Sequence, residues 1–156
     1  MAIYVVRHAK AGDRAEWEGD DLLRPLTKSG HRQAEELAGW LKKEPIDAIL
    51  SSPYVRCLQT VEPVAKQLKL PIEPRTDLAE GAGGESIIRM AAEFKGRNVV
   101  LGTHGDIVEE LLEHLIAQGL VVRARAQLEK GSTWILDEKN GRITGATYRP
   151  APAGHG

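Results

Sequence analysis

Short apolar runs alternate along this chain with longer segments whose apolar residues recur every three or four positions. Residues 2–7, with Ile3, Val5 and Val6, predict a buried strand. Residues 9–26 lack periodicity and carry Gly12, Gly19 and Pro25, which reads as a loop. Thr27 stands where an N-cap belongs. From Ser29 to Lys43, Ala34, Leu37, Ala38 and Leu41 share one helical face, and Pro45 ends the helix. Asp47 to Ser51 predicts a short strand. Pro53 suits the first turn of a helix reaching about Lys69, with a kink or break expected near Glu62 because Pro63 follows.

The pattern then repeats. Residues 71–74 predict a short strand, and Asp77 to Gly84 a glycine-rich loop. Residues 85–95 predict a helix, 98–103 a buried strand, and 106–118 a helix with Ile107, Leu111, Leu112 and Leu115 on one side. Two segments, Thr133 to Asp137 and Arg142 to Tyr148, flank Asn140-Gly141, a dipeptide that signals a hairpin. Strands alternating with helices predict an α/β fold. It is a three-layer sandwich with a mainly parallel central sheet flanked by helices and a C-terminal hairpin. Residues 1–149 form one domain, and the Pro/Gly-rich residues 150–156 a flexible tail.

Composition narrows the function. A chain of 156 residues suits one domain with its own core. A net charge of −1 argues against a bulk nucleic-acid footprint, though a local basic pocket stays open. The single cysteine, Cys57, excludes an internal disulfide and multi-cysteine zinc sites. No apolar run approaches the ~18 residues of a membrane span, and no export signal is evident. A soluble, cytoplasmic protein is the expectation.

The chemistry gathers where strands end. Arg7-His8 closes the first strand, Arg56 follows the second, and Thr103-His104-Gly105 follows the fourth. In a parallel sheet, ligands sit at the carboxyl ends of the strands. A neutral imidazole is a good nucleophile toward phosphorus, provided its other ring nitrogen fixes the tautomer. Arginines match the charge spread over a transferring phosphoryl group. Taken singly, each of these residues reads as a surface or helix residue; their combination points to phosphoryl chemistry. Cys57 reads as a buried structural thiol, His31 as exposed, and His114 and His155 as lacking any motif partner. Trp17, Trp40 and Trp134 read as packing residues.

The Arg7-His8 pair, SSPYVRCLQT with Arg56, THGD with His104 and the segment LTKSGHRQAEELAGWL together resemble the histidine phosphatase superfamily, the phosphoglycerate mutase-like group, over residues 3–148. That resemblance implies roles. His8 is the nucleophile that becomes phosphorylated. Arg7 and Arg56 clamp the phosphoryl oxygens, and His104 completes the pocket. Glu80 is the general acid, with Asp20, Asp21 and Asp106 as competing carboxylates. No metal or other cofactor is needed. One departure is Ala9, where the family usually has glycine; a small residue is tolerated there unless positive φ is required.

The short chain is similar to the SixA-type phosphohistidine phosphatases, which implies a phosphorylated protein domain as partner. A second resemblance competes. GDDLLRPLTKSG, VRCLQTVEP and KGSTWIL are similar to phosphatase domains found behind Nudix domains, which implies a nucleotide or other small phosphate ester. A phosphate-binding module without turnover is the non-enzymatic alternative. No nucleic acid or membrane partner is expected, and the sequence leaves the oligomeric state open.

Overall fold

The computed structural model describes residues 1–154. Six strands form one mixed sheet: β1 (Ala2–Arg7), β2 (Ala48–Ser51), β3 (Ile72–Pro74), β4 (Val99–Thr103), β5 (Thr133–Lys139) and β6 (Arg142–Arg149). Their order is β3-β2-β4-β1-β5-β6. The first four strands run parallel, β5 pairs antiparallel with β1, and β6 pairs antiparallel with β5. Four helices flank the sheet: α1 (Lys28–Leu41), α2 (Val55–Leu68), α3 (Glu85–Glu93) and α4 (Gly105–Ala117). This is the α/β sandwich expected, with its hairpin.

The strand runs are apolar at nearly every position because both faces of the sheet are covered. Ile3 and Val5 of β1, with Val99 and Leu101 of β4, pack under Ile87 and Met90 of α3 and Ile107 and Leu111 of α4. Tyr4, Val6 and Val100 point the other way, onto Leu37 and Leu41 of α1 and Val61 and Val64 of α2. The period-2 alternation of side chains thus splits one continuous run between two cores.

Local chemistry sets the ends. Thr27 caps α1 by accepting from the Gly30 amide at 3.0 Å. A Cβ on Gly30 would stand 2.0 Å from the Lys10 carbonyl oxygen, so only glycine lets α1 seat against the loop after β1. In the β5–β6 turn, Asn140 and Gly141 have φ of 54° and 80°, the positive values that a type I′ turn needs.

Three expectations need correction. Helix α2 starts at Val55, two residues beyond Pro53, with Tyr54 at its N-cap. The helix also runs on through Pro63. An interior proline costs about 3 kcal/mol, whereas fully burying Val61 and Val64, as here, contributes about 1.5–3 kcal/mol each, so burial wins. The tail, expected to be loose, is fastened as far as Gly154. Gln33 Nε2 donates to the Pro152 carbonyl and Arg32 Nε to that of Gly154, each at 2.9 Å. His155 lies outside the described residues.

Candidate active site

The topology opens a crevice where the chemistry lies. The chain leaves β1 toward α1 on one face of the sheet, and leaves the neighbouring β4 toward α4 on the other. Adjacent strands whose connections part in this way leave a gap at their carboxyl ends. The β1–β4 register pairs Arg7 with Thr103, so His8 and His104 emerge side by side. The His8 amide donates to the Thr103 carbonyl at 3.0 Å. The two rings meet edge to face with centroids 5.7 Å apart. They line a cleft of about 530 Å³ together with Arg7, Arg14, Glu80 and Lys130.

His8 is buried, and its Nδ1 lies 2.8 Å from the Ala9 carbonyl oxygen. A carbonyl only accepts, so Nδ1 carries the proton and Nε2 keeps its lone pair. Burial pushes the His8 pKa down to about 3; the bond to Ala9 opposes this, while Arg56, His104 and Arg7 add to it. The imidazole is therefore neutral at pH 7. The departure at position 9 has a simple account. Ala9 is fully buried, has no positive φ, and donates its amide to Thr60 Oγ1 at 2.9 Å, so the methyl group brings no backbone strain.

His104 is also driven neutral, its pKa lowered to about 4 by burial and by Arg56. It therefore offers a hydrogen bond in place of a charge. Its Nε2 sits 2.8 Å from Ser52 Oγ, and its buried Nδ1 has no partner among the described residues. Cys57 Sγ lies 3.5 Å from the same Nε2, and burial pushes that thiol up to about 12, which suits packing.

Arg56 is fully buried at the start of α2. Its Nη1 donates to the Asp21 carbonyl at 3.0 Å and its Nη2 to Asp21 Oδ2 at 3.1 Å. Its Nε has no partner among the described residues. Thr60, one turn on, donates to the Arg56 carbonyl while accepting from Ala9, which ties the arginine's helix to the His8 loop. Arg7 donates from Nη1 to the Leu128 carbonyl at 2.7 Å. Its guanidinium lies against Gly105, where a Cβ would come within 2.7 Å of Cζ. The glycine of Thr103-His104-Gly105 is therefore a packing requirement of Arg7.

The carboxylates separate. Glu80 reaches the cleft, its Oε1 accepting from Arg14 at 2.9 Å and its Oε2 standing 3.9 Å from Arg56 Nη2. Asp20 caps the turn Asp21–Leu23 and does not line the cleft. Asp21 holds Arg56 and Arg24; burial alone would raise its carboxyl, but those arginines overcome it and keep it below its ordinary value. Such a group is a poor proton donor. Asp106 lines the cleft and accepts the Gly81 amide at 2.8 Å. Ser52, Thr60 and Lys130 went unrecognised as site residues. Ser52 and Thr60 lie inside the SSPYVRCLQT segment, which was the available signal. His31 is exposed, and Trp134 is buried with its Nε1 bonded to the Gln127 carbonyl.

The sequence matches the model of the histidine phosphatase superfamily (branch 1) over residues 3–88. This chain, with two histidines and two arginines gathered at the carboxyl ends of its parallel strands, belongs to that superfamily. It is 36% identical over 155 residues to the 8-oxo-(d)GTP phosphatase of Mycolicibacterium smegmatis, a match covering 96% of this chain and 48% of that protein. It is 40% identical over 73 residues to the phosphohistidine phosphatase SixA of Escherichia coli, covering 46% of this chain and 44% of that one. The chain thus spans about half the length of these curated relatives. Among solved structures, the candidate phosphohistidine phosphatase SixA of Agrobacterium tumefaciens superposes with a TM-score of 0.78 at 27% identity, covering 96% of this chain and 97% of that one.

Proposed function

We propose that this protein is a phosphatase that works through a covalent phosphohistidine on His8, with cationic side chains supplying the positive field and no metal required. The observation that carries the reading is the His8 hydrogen bond: Nδ1–H held by the Ala9 carbonyl leaves a neutral ring with its Nε2 lone pair free. Nε2 forms a bond to phosphorus as the bond from phosphorus to the leaving atom breaks. Arg7, Arg56 and His104 meet the charge on the equatorial oxygens. Water then attacks phosphorus, the N–P bond breaks, and phosphate departs.

The trap is direct. Alkaline denaturation during turnover of an aryl phosphate leaves phosphate on His8, acid quench removes it, and His8→Ala abolishes both turnover and label while keeping the folded circular dichroism spectrum. Acid-stable phosphate on serine or cysteine, or full activity in His8→Ala, overturns the mechanism.

Glu80 is the proposed proton donor to a leaving oxygen. An alkoxide needs a proton in the transition state, whereas a phosphohistidine substrate expels an imidazole that needs less help. Glu80→Gln therefore slows turnover of an alkyl phosphate monoester much more than phosphohistidine turnover. Equal losses on both assign the proton to another group.

Two substrates suit the cleft. A phosphohistidine side chain presented by a protein is one, supported by the likeness to SixA. A nucleotide is the other, supported by the match over 96% of the chain to the mycobacterial nucleotide phosphatase. The ratio of kcat/KM on a phosphohistidine-bearing protein to that on a nucleoside diphosphate separates them.

A further inference from the structure

Five cations stand around His8: Arg7, Arg14, Arg24 and Lys130 line the cleft, and Arg56 lies buried beside it. Three of them have a carboxylate partner, though Arg24 and Arg56 share one. Arg14 meets Glu80 at 2.9 Å, Arg24 meets Asp21 at 2.9 Å, and Arg56 meets Asp21 at 3.1 Å. Arg7 and Lys130 have no carboxylate within 4 Å among the described residues. Asp106 and Glu109 act on Arg7 only at longer range. These two cations therefore face the cleft without a direct carboxylate partner, beside an Arg56 that has only a share of Asp21.

Lys130 is held there by its backbone. The next residue, Gly131, donates its amide to the carbonyls of both Arg7 and His8 at 3.1 Å. On the other side, Arg7 Nη1 grips the Leu128 carbonyl. The loop carrying Lys130 is thus clipped to the end of β1, next to the nucleophile. Burial, followed by Arg7, Arg24, Arg14 and Arg56, lowers the Lys130 ammonium from its ordinary value. Lys130 is exposed at the cleft, so an incoming anion can reach its ammonium, and the neighbouring arginines add to the attraction.

We propose that Lys130 forms a second anion subsite beside the phosphoryl pocket, so that the preferred substrate is a small molecule carrying a second phosphate next to the one transferred, a diphosphate ester. The inference rests on the reading of His8 as the phosphoryl-accepting residue. In that substrate, His8 Nε2 bonds to the terminal phosphorus and the bond from that phosphorus to the bridging oxygen breaks. The bridging oxygen leaves on the inner phosphate, which departs as a monoester anion against Lys130. Such a leaving group needs little protonation, in keeping with a Glu80 that is already bonded to Arg14. A phosphohistidine side chain brings no second phosphate and gains nothing from Lys130.

The test uses two non-hydrolysable probes, methylphosphonate and methylenediphosphonate, titrated calorimetrically into the intact chain, into Lys130→Ala and into Lys130→Arg. The wild type binds the diphosphonate about tenfold more tightly than the monophosphonate, the scale of one added charge contact. Lys130→Ala removes that advantage and leaves monophosphonate affinity within about twofold, and Lys130→Arg restores most of it. Equal affinity for both probes in the wild type, or an equal loss of both in Lys130→Ala, overturns the second subsite while leaving the His8 reading standing. Failure of both probes to bind the wild type overturns both readings.

Discussion

Two arginines of this molecule stand in opposite relations to their carboxylates. Arg75, just after β3, is saturated. Its Nε and Nη2 meet Asp77 at 3.1 and 2.9 Å, and its Nη1 and Nη2 meet Glu93 at 2.7 and 2.8 Å. Arg56 is fully buried, yet only Asp21 bonds to it, and its Nε is left without a partner among the described residues. The partly exposed arginine is over-neutralised, and the buried one is under-neutralised. An arginine with every donor committed has nothing to offer a ligand, whereas donors left unmet in a dry site cost free energy until an anion arrives. The contrast separates a structural clasp from the proposed phosphoryl pocket.

The sharpest way to break that comparison is to remove each arginine in turn. Arg56→Ala lowers kcat/KM on an aryl phosphate by about a hundred- to thousandfold, the scale of a lost transition-state donor. Arg75→Ala leaves kcat/KM within about twofold and costs about 1 kcal/mol or less in urea unfolding, because its partners are solvent-exposed. Comparable activity losses in the two variants would erase the distinction.

The second test uses pH. The folded pKa values of His8 and His104, about 3 and about 4, lie below the unfolded value near 6.5. Between those limits the unfolded chain binds more protons, so stability is full above about pH 6.5 and falls as the pH drops. The expected loss in urea unfolding is about 2–4 kcal/mol between pH 7 and pH 5. The His8→Ala/His104→Ala double variant has a visibly flatter slope over the same range. An unchanged slope would mean that the two imidazoles are not the groups held neutral. Arg75→Ala removes neither imidazole, so it keeps the wild-type slope.

The smallest expected effect comes from Gly105→Ala. The added methyl group meets the end of the Arg7 side chain, which can move, so the fold survives within about 1 kcal/mol while the guanidinium leaves its place. A loss of about tenfold in kcat/KM follows. Unchanged kcat/KM would show that Arg7 does not need this position.

Much of this was legible in the order of residues, because the signals are local. Three- and four-residue spacing at Ala34, Leu37 and Leu41 announces α1, and Asn140-Gly141 announces the hairpin. Pro63 misled because a local rule ignores the core that Val61 and Val64 fill. The separation of Glu80 from Asp20, Asp21 and Asp106 was closed to inspection as well. It depends on which carboxylate reaches Arg14 or Arg56 across tens of residues.

The sequence by itself determined which residues are chemically able and at which strand ends they stand: Arg7, His8, Arg56 and His104. Periodicity and motif spacing are properties of the chain read in order. Only the tertiary structure decided their state. It neutralised His8 by burial, gave two of Arg56's groups to Asp21, packed Arg7 against Gly105 and clipped the Lys130 loop to β1. These outcomes depend on burial and on contacts between distant segments, and such contacts exist only once β1 and β4 pair and their helices part to opposite faces.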